Sequence, residues 1–597
     1  MKIKGYHGLF LDINLTSGEI KKIPVNEELI SKYLGGRGMG AKILYDNLKP
    51  GEDPYGENNL LMFMPGPLNG FPVPSSSRLT VITKSAHTSP VNRKYKHSAT
   101  ISYSSVGGFF APEIKFASYD GLIIRGKSPY PVYVYIKNEK VEIRDARKFW
   151  GMGTNEFDKK IKEELDDKKF QVIYIGPSGE NLVEYSSILH TASRAAGRGG
   201  VGAVMGAKKL KAIAVRGTKM PPVSDHRKFV ELLEKHRKVF RNSGRTLNWR
   251  RYGTAGALVS SSKRGSQAVK NYREGTFRQI ESIGADTARK KFWVKDYACY
   301  TCMLACKKSG VIKDGPYAGI SHDGPEYETG TMLGANLLVS DLGGLLKEIF
   351  DADDYGVDAI SMGNTIGFLM EAYEKRLIDI KFLDGIDLKW GNVDAILKIM
   401  KKTIKREGVG EYTSKGVKFL SEMIGKGSSE FAIHVKGHEL AAWNVHVSPG
   451  TGISYATSNR GACHLNGGNA RTQNRGALLD SLGICRFAFF GYRLEGLRKI
   501  VNAITGIDYT ITDFIKVGER IFNTEKMFNV REGFDINDDV LPERFFKEPL
   551  SYGAGKGKVL TKEHFYGKLL HNYYIERGWD PKTSIPTKSK LKELEII

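Results

Sequence analysis

The chain has 597 residues, 41% of them hydrophobic, which is enough for two to four cores and too long for one. Its formal charge is +24, from 90 Lys and Arg against 66 Asp and Glu, a balance that favours acidic partners. No apolar run approaches the roughly 20 residues of a membrane helix, and Asp12 and Asn14 break the N-terminal stretch, so the expected location is cytoplasmic.

In chain order, short β-type runs fall at 9–13, 60–64, 79–83, 121–124, 132–136, 172–175 and 212–215, separated by Gly, Pro and Asn. Helical periodicity appears between them near 27–34 and 154–164. Met220-Pro221-Pro222-Val223 reads as a linker. Beyond it the pattern turns helical at 226–240, 343–353, 359–375, 392–406 and 413–424, and a Gly/Ser stretch at 425–429 suggests a second boundary. The predicted class is α+β: a β-rich N-terminal domain (1–217) followed by two mostly α-helical domains (218–427 and 428–597).

Five cysteines in so long a chain do not suggest a disulfide scaffold. Cys299, Cys302 and Cys306 form C-x2-C-x3-C, so three thiolates can wrap one face of a compact metal site, with a fourth ligand from Cys463 or Cys485. Structural zinc usually takes two separated ligand pairs, and no second C-x2-C or H-x3-H follows. Radical enzymes that use S-adenosylmethionine carry the reverse spacing. A [4Fe–4S] cluster on four cysteines is the expectation.

Two segments share D-x-x-G-[VI]-[DC]: Asp353-Asp354-Tyr355-Gly356-Val357-Asp358 and Asp480-Ser481-Leu482-Gly483-Ile484-Cys485. In each, Gly can end a helix in the left-handed conformation, and Asp358 is placed to cap the next helix. The repetition suggests two equivalent halves of one ligand site. Gly197-Arg198-Gly199-Gly200-Val201-Gly202 satisfies G-x-G-x-x-G. It is expected to run through a Lys-rich turn into the strand at 212–215, which is not the strand–loop–helix of a nicotinamide site. With Arg194 and Arg198 beside its glycines, it suits phosphate instead.

The cysteine triad, the paired D-x-x-G turns and the run R-A-A-G-R-G-G-V-G-A-V-M-G at Arg194–Gly206 together resemble the tungsten-containing aldehyde ferredoxin oxidoreductase family. Further motifs in order extend the resemblance over essentially the whole chain: Leu34-Gly35-Gly36-Arg37-Gly38, Pro65-Gly66-Pro67-Leu68, Gly107-Gly108-Phe109-Phe110, Gly324-Pro325-Glu326-Tyr327-Glu328, Asn459-Arg460-Gly461-Ala462-Cys463-His464 and Gly518-Glu519-Arg520-Ile521-Phe522-Asn523. The resemblance implies a tungsten or molybdenum bis-pyranopterin that no side chain ligates. Arg78, Gly107, Gly108, Arg194, Ala195, Gly197 and Arg198 would face the pterin phosphates and a bridging Mg2+. Asp353, Gly356, Val357 and Asp358, with Asp480, Gly483 and Ile484, would hold the pterin rings. Cys485 would join Cys299, Cys302 and Cys306 on the cluster. Glu328 is implied as the base, His464 as the group that orients the carbonyl, and Tyr327 as a lesser neighbour.

The implied activity is oxidation of aldehydes to carboxylic acids, with electrons leaving through the cluster to an acidic ferredoxin or a ferredoxin-like Fe–S subunit. Homodimeric relatives carry E-x-x-H before the first D-x-x-G, whereas this chain has Lys347-Glu348-Ile349-Phe350, so a hetero-oligomer or a dimer without a bridging metal is expected. A related reductase subunit acting on aromatic thioesters is the rival enzyme reading. A non-catalytic iron–sulfur protein of electron transfer or nucleic-acid binding is the rival of another class, although no nucleic-acid module is recognisable.

Overall fold

The computed structural model describes residues 3–165 and 167–597. Its N-terminal part is two six-stranded sheets packed face to face. The first contains β1 (Leu9–Asn14), β2 (Ile20–Pro24), β3 (Leu61–Pro65), β4 (Leu79–Lys84), β5 (Ile101–Val106) and β6 (Gly121–Arg125), in the order β2-β1-β6-β3-β4-β5. The second contains β7 (Val132–Lys137), β8 (Lys140–Asp145), β9 (Gln171–Tyr174), β10 (Ile188–His190), β11 (Arg194–Ala196) and β12 (Leu210–Arg216), in the order β11-β10-β9-β12-β7-β8.

Period-two alternation explains the layering. Leu11 and Ile13, Leu61 and Phe63, Leu79 and Val81 point into a core shared with Val132, Val134, Ile173 and Ile213 of the second sheet. The intervening Phe10, Met62, Met64 and Ile82 point the other way, into a second core completed by Leu478, Leu482, Ile500 and Ile521 from near the C-terminus. The first sheet is thus buried on both faces, and residues more than 400 positions apart close one core.

Every expected strand is present. Those not foreseen are polar or short: β2 (IKKIP) and β8 (KVEIRD) are half-exposed, Lys-containing edge strands, which suits a sheet edge that must not pair further. β5 (ISYSSV) is Ser-rich yet almost wholly buried. One expectation needs correction. A seven-residue helix, Val201–Ala207, follows the glycine-rich run directly, and β11 precedes it, so strand, loop and helix do occur there. The geometry is still not a nucleotide-binding βαβ unit, because β11 pairs antiparallel with β10 and β12 antiparallel with β9. The mostly helical region also holds a small sheet, β13 (Trp293–Tyr297), β14 (Lys307–Val311) and β15 (Ser321–Asp323).

Helices cover the rest. The Gly36–Asn47 helix lies on the first sheet and packs against the Ala470–Leu482 and Ile511–Arg531 helices. At that junction the fully buried Arg37 clamps Glu525 with Nε–Oε1 at 2.6 Å and Nη2–Oε2 at 2.7 Å, and reaches Asp480 at 3.2 Å. A bidentate pair with both ends buried is strong and geometrically demanding. Among the described residues no helix is long and apolar enough to cross a membrane.

Candidate functional site

Cys299, Cys302 and Cys306 lie in the loop of the β13–β14 hairpin. The loop turns sharply: Thr301 and Ala305 take positive φ of 52° and 43°, a conformation that non-glycine residues pay for in strain. Thr301 Oγ1 donates to the Val73 carbonyl at 2.8 Å, and the Ser75 hydroxyl is 3.6 Å from Cys302 Sγ. The Ser75 carbonyl in turn accepts from the Cys485 N–H at 2.9 Å, and Arg78 Nη2 donates to Cys485 Sγ at 3.6 Å. The Tyr300 N–H donates to Gly108 O, and Gly107 leaves just enough room for Cys299 Sγ beside it. Three chain segments therefore bring all four expected cysteines together, and none is in a disulfide.

Burial opposes ionisation of Cys299, but Arg194 and Arg78 outweigh it and hold the thiol below its ordinary value. Cys302 and Cys306 are pushed up, first by burial and then by the neighbouring thiols, Cys485 foremost. Thiols that oppose each other's ionisation are costly unless a cationic centre neutralises them. Among the described residues no three His, Cys, Asp or Glu side chains converge closely enough for a single metal ion. A polynuclear cluster would spread its thiolates over several irons.

The two D-x-x-G segments are built alike. Gly356 (φ 75°) ends the Leu342–Tyr355 helix and Gly483 (φ 74°) ends the Ala470–Leu482 helix, both left-handed. Asp358 caps the Ala359–Glu374 helix by accepting from the Ile360 N–H, and Cys485 stands at the corresponding position of the second turn. Val357 bridges to Ser186, and Ile484 is fully buried. Both aspartates at the motif starts are engaged: Asp353 with His322 Nε2 at 2.9 Å, and Asp480 with Arg486 at 2.6 Å and Arg37.

In the glycine-rich run Ala195 pairs with Leu189 across β10 and β11, and Arg194 reaches Thr191 Oγ1 and the Ala298 carbonyl. Arg198 is buried and committed to protein acceptors: Asp358 Oδ2 at 3.0 Å, Ala462 O at 2.9 Å and Glu439 O at 2.6 Å. It fastens the first D-x-x-G turn to the segment that carries His464. A Cβ at Gly197 would meet only Ala195 Cβ at 3.7 Å and Ser187 Oγ at 3.9 Å, both ordinary contacts, and beside Gly199 the Ser102 hydroxyl is buried without a partner. A glycine-rich turn with an orphaned donor beside it fits a phosphate-bearing group.

Glu328 and His464, 136 positions apart, meet with Oε1 and Nε2 at 3.4 Å and keep 23% and 20% of their side-chain surface accessible. Glu328 Oε2 accepts from the Ala442 N–H at 2.9 Å; His464 Nδ1 is buried with no hydrogen-bond partner. Burial raises Glu328 to about 7, against the opposing pull of the Ala442 N–H and Arg198. Burial, then Arg198, Arg460 and Arg486, lowers His464 to about 3. The pair is thus a neutral imidazole beside a carboxyl poised near neutrality, and Glu328 Oε1 and His464 Nδ1 are both buried without a hydrogen-bond partner. Tyr327 is not joined to either by a hydrogen bond; its ring packs on Trp443 at 4.6 Å and its hydroxyl is buried without a partner.

Three contributors had no clear signal in the sequence. Ala442 acts through its backbone N–H, which is blind to residue type. Arg460 donates to Cys463 Sγ at 2.9 Å, placing that thiol beside, not within, the pair. Arg486 holds both Asp480 and the Leu465 carbonyl.

Residues 10–217 match the aldehyde ferredoxin oxidoreductase N-terminal domain, and residues 231–596 match domains 2 and 3 of aldehyde ferredoxin oxidoreductase. The chain is 36% identical to the tungsten-containing aldehyde ferredoxin oxidoreductase of Thermococcus kodakarensis and 37% identical to that of Pyrococcus furiosus, with 99% of each chain covered. It is 33% identical to the aliphatic sulfonate oxidoreductase, WOR-like subunit, of Pyrococcus furiosus, over 99% of this chain and 97% of that one. Among solved structures, the active-site complex BamBC of benzoyl coenzyme A reductase with 1,5-dienoyl-CoA superposes with a TM-score of 0.84 at 25% identity, covering 100% of this chain and 97% of the other.

Proposed function

The chain belongs to the aldehyde ferredoxin oxidoreductase family, and on that premise we propose that it oxidises aldehydes to carboxylic acids and passes the electrons to an acidic ferredoxin or a ferredoxin-like subunit. The observation that carries the reading is the Glu328–His464 pair, a base near neutrality held 3.4 Å from an uncharged imidazole. A tungsten or molybdenum bis-pyranopterin, when bound, supplies the two-electron acceptor for the reaction RCHO + H2O → RCOOH + 2e− + 2H+.

The residues around it have separable tasks. Glu328 takes a proton from the water that becomes the new oxygen, and its burial keeps it basic enough to do so. His464 remains uncharged and offers a ring N–H to the carbonyl oxygen, which orients the aldehyde. Tyr327, the residue before Glu328, packs on Trp443 and is a lesser neighbour of the pair. The pterin rings would lie between the two D-x-x-G turns (Asp353, Gly356, Val357, Asp358; Asp480, Gly483, Ile484). Their phosphates and a Mg2+ would lie against Gly107, Gly108, Arg194, Ala195 and Gly197, with Arg78 near the cluster and Arg198 as a brace. Cys299, Cys302, Cys306 and Cys485 would carry a [4Fe–4S] cluster. The chain segments 1–217, 218–427 and 428–597 are proposed as the three domains.

Native protein should contain W or Mo together with about four Fe and reduce a dye with aldehydes; zinc as the only metal would sink the reading. A second reading, as the catalytic subunit of a reductase acting on aromatic thioesters, is favoured by the full-length likeness to BamBC. Untagged purification with subunit identification, followed by assays on aldehydes and on aromatic thioesters, separates the two.

A further inference from the structure

Residues 235–251 carry seven Lys and Arg and no Asp or Glu. They form the end of the His226–Asn242 helix and nearly all of the Gly244–Tyr252 helix. Lys238, Arg241 and Arg245 are exposed and belong to no ion pair among the described residues. Many other surface cations pair with carboxylates, as Lys42 does with Asp46 and Lys148 with Glu164, but these three do not. This unpaired run sits directly on the cysteine loop. Arg250 Nη2 donates to the Met303 carbonyl at 2.8 Å, and Lys308 Nζ donates to the Arg250 carbonyl. An apolar strip adjoins it. The Trp249 ring lies 4.1 Å from Phe487 and 5.3 Å from Phe490, just beyond Cys485, while Phe489 and Leu247 are 47% and 57% exposed.

We propose that this face is the docking surface for a small acidic iron–sulfur electron carrier, a partner that rests on the aldehyde-oxidising function proposed above. Unpaired cations steer an acidic partner and fix its orientation, and a compact aromatic centre supplies the desolvated contact. A second copy of this chain would bring two like-charged faces together, which charge repulsion disfavours. All four cysteines are partly exposed beneath the patch, so a carrier seated here stands close to the cluster they are proposed to hold. Electrons leave one at a time, so one aldehyde, which releases two, reduces two one-electron carrier centres.

The test uses the metal-loaded enzyme and three proteins: wild type, Lys238→Glu/Arg241→Glu/Arg245→Glu, and a control of equal charge change on exposed lysines of other elements, Lys401→Glu/Lys556→Glu/Lys558→Glu. Calorimetric titration with a purified acidic 2[4Fe–4S] ferredoxin should show Kd rising about tenfold or more for the patch variant and about twofold or less for the control. Wild-type Kd should weaken with added salt, and the patch variant should lose most of that dependence. Lys238→Gln/Arg241→Gln/Arg245→Gln, which removes charge without reversing it, should fall between. Aldehyde-dependent reduction of benzyl viologen, which needs no docking face, should be equal in all. An unchanged ferredoxin Kd overturns the proposal. So does a patch variant that changes only the oligomer mass, or only binding to an oligonucleotide, since the face would then serve a second copy or nucleic acid. Absence of dye reduction in the wild type would count against the aldehyde function instead.

Discussion

Glu328 keeps one carboxylate oxygen on the Ala442 N–H and leaves the other to His464. If it is the base, Glu328→Gln should retain W or Mo and iron but lower turnover by about 10²–10⁴-fold; near-normal activity with full metal content would remove the role. Because the base must be ionised, kcat/KM should climb about tenfold per pH unit below about 7 and level off above it. The same shift acts on stability. The folded-state pKa is raised, so the carboxyl costs nothing below its ordinary value of 4.5, costs progressively more as pH rises to about 7, and costs the full amount above. The Gln variant should therefore melt slightly above wild type at pH 8 and level with it at pH 4, which parallel thermal melts can read. Arg37→Met removes the partner of a fully buried Glu525 and should cost about 3–5 kcal/mol, seen as a lower melting temperature. Glu328 and His464 were legible only through motif resemblance, since a lone Glu or His in a sequence says little. Arg198 was legible as a cation in a glycine-rich run, but its acceptors, Asp358, Ala462 and Glu439, come from distant segments that no local pattern announces.

At the scale of elements, the two D-x-x-G turns were readable because the requirement is local: a helix end, a left-handed glycine, then a cap. The packing of the second turn was not readable. A Cβ at Gly66 would overlap the Leu482 carbonyl carbon one residue before Gly483. Gly66→Ala should therefore displace the turn that carries Cys485, lowering stability by about 1–3 kcal/mol and reducing the iron bound per chain; a variant with full iron and wild-type melting would contradict the tight fit. The Val201–Ala207 helix went unforeseen because GVGAVMGA is rich in glycine, which disfavours helix, and tertiary burial of every residue in it overrides the propensity. The β13–β14 hairpin was hidden for a related reason: its strands are short and Lys-containing, and the cysteines between them draw the eye to ligation before structure.

For the whole molecule, the β-rich start and helical remainder were legible in composition and period, and the α+β class follows from them. What the pattern did not disclose is that the sequence boundaries are not boundaries between cores. The core that holds Phe10, Met62 and Ile82 also holds Leu478, Leu482 and Ile521. A fragment ending at residue 217 would uncover the outer face of its first sheet. We expect it to bind a hydrophobic dye and to aggregate; a monomeric fragment with cooperative melting would show that the sandwich stands alone.

The same shared core bears on how the protein comes into being. Synthesis proceeds from the N-terminus, so the hairpin with three cysteines emerges well before Cys485, and the segment that buries Arg37 emerges later still, at Glu525. Until then the sheet face meant for those helices is bare. If the proposed cluster and pterin enter before this core closes, they meet a chain that is almost finished, and maturation competes with folding over a brief interval. Slowing the last hundred residues of translation should raise the fraction of chains that acquire iron.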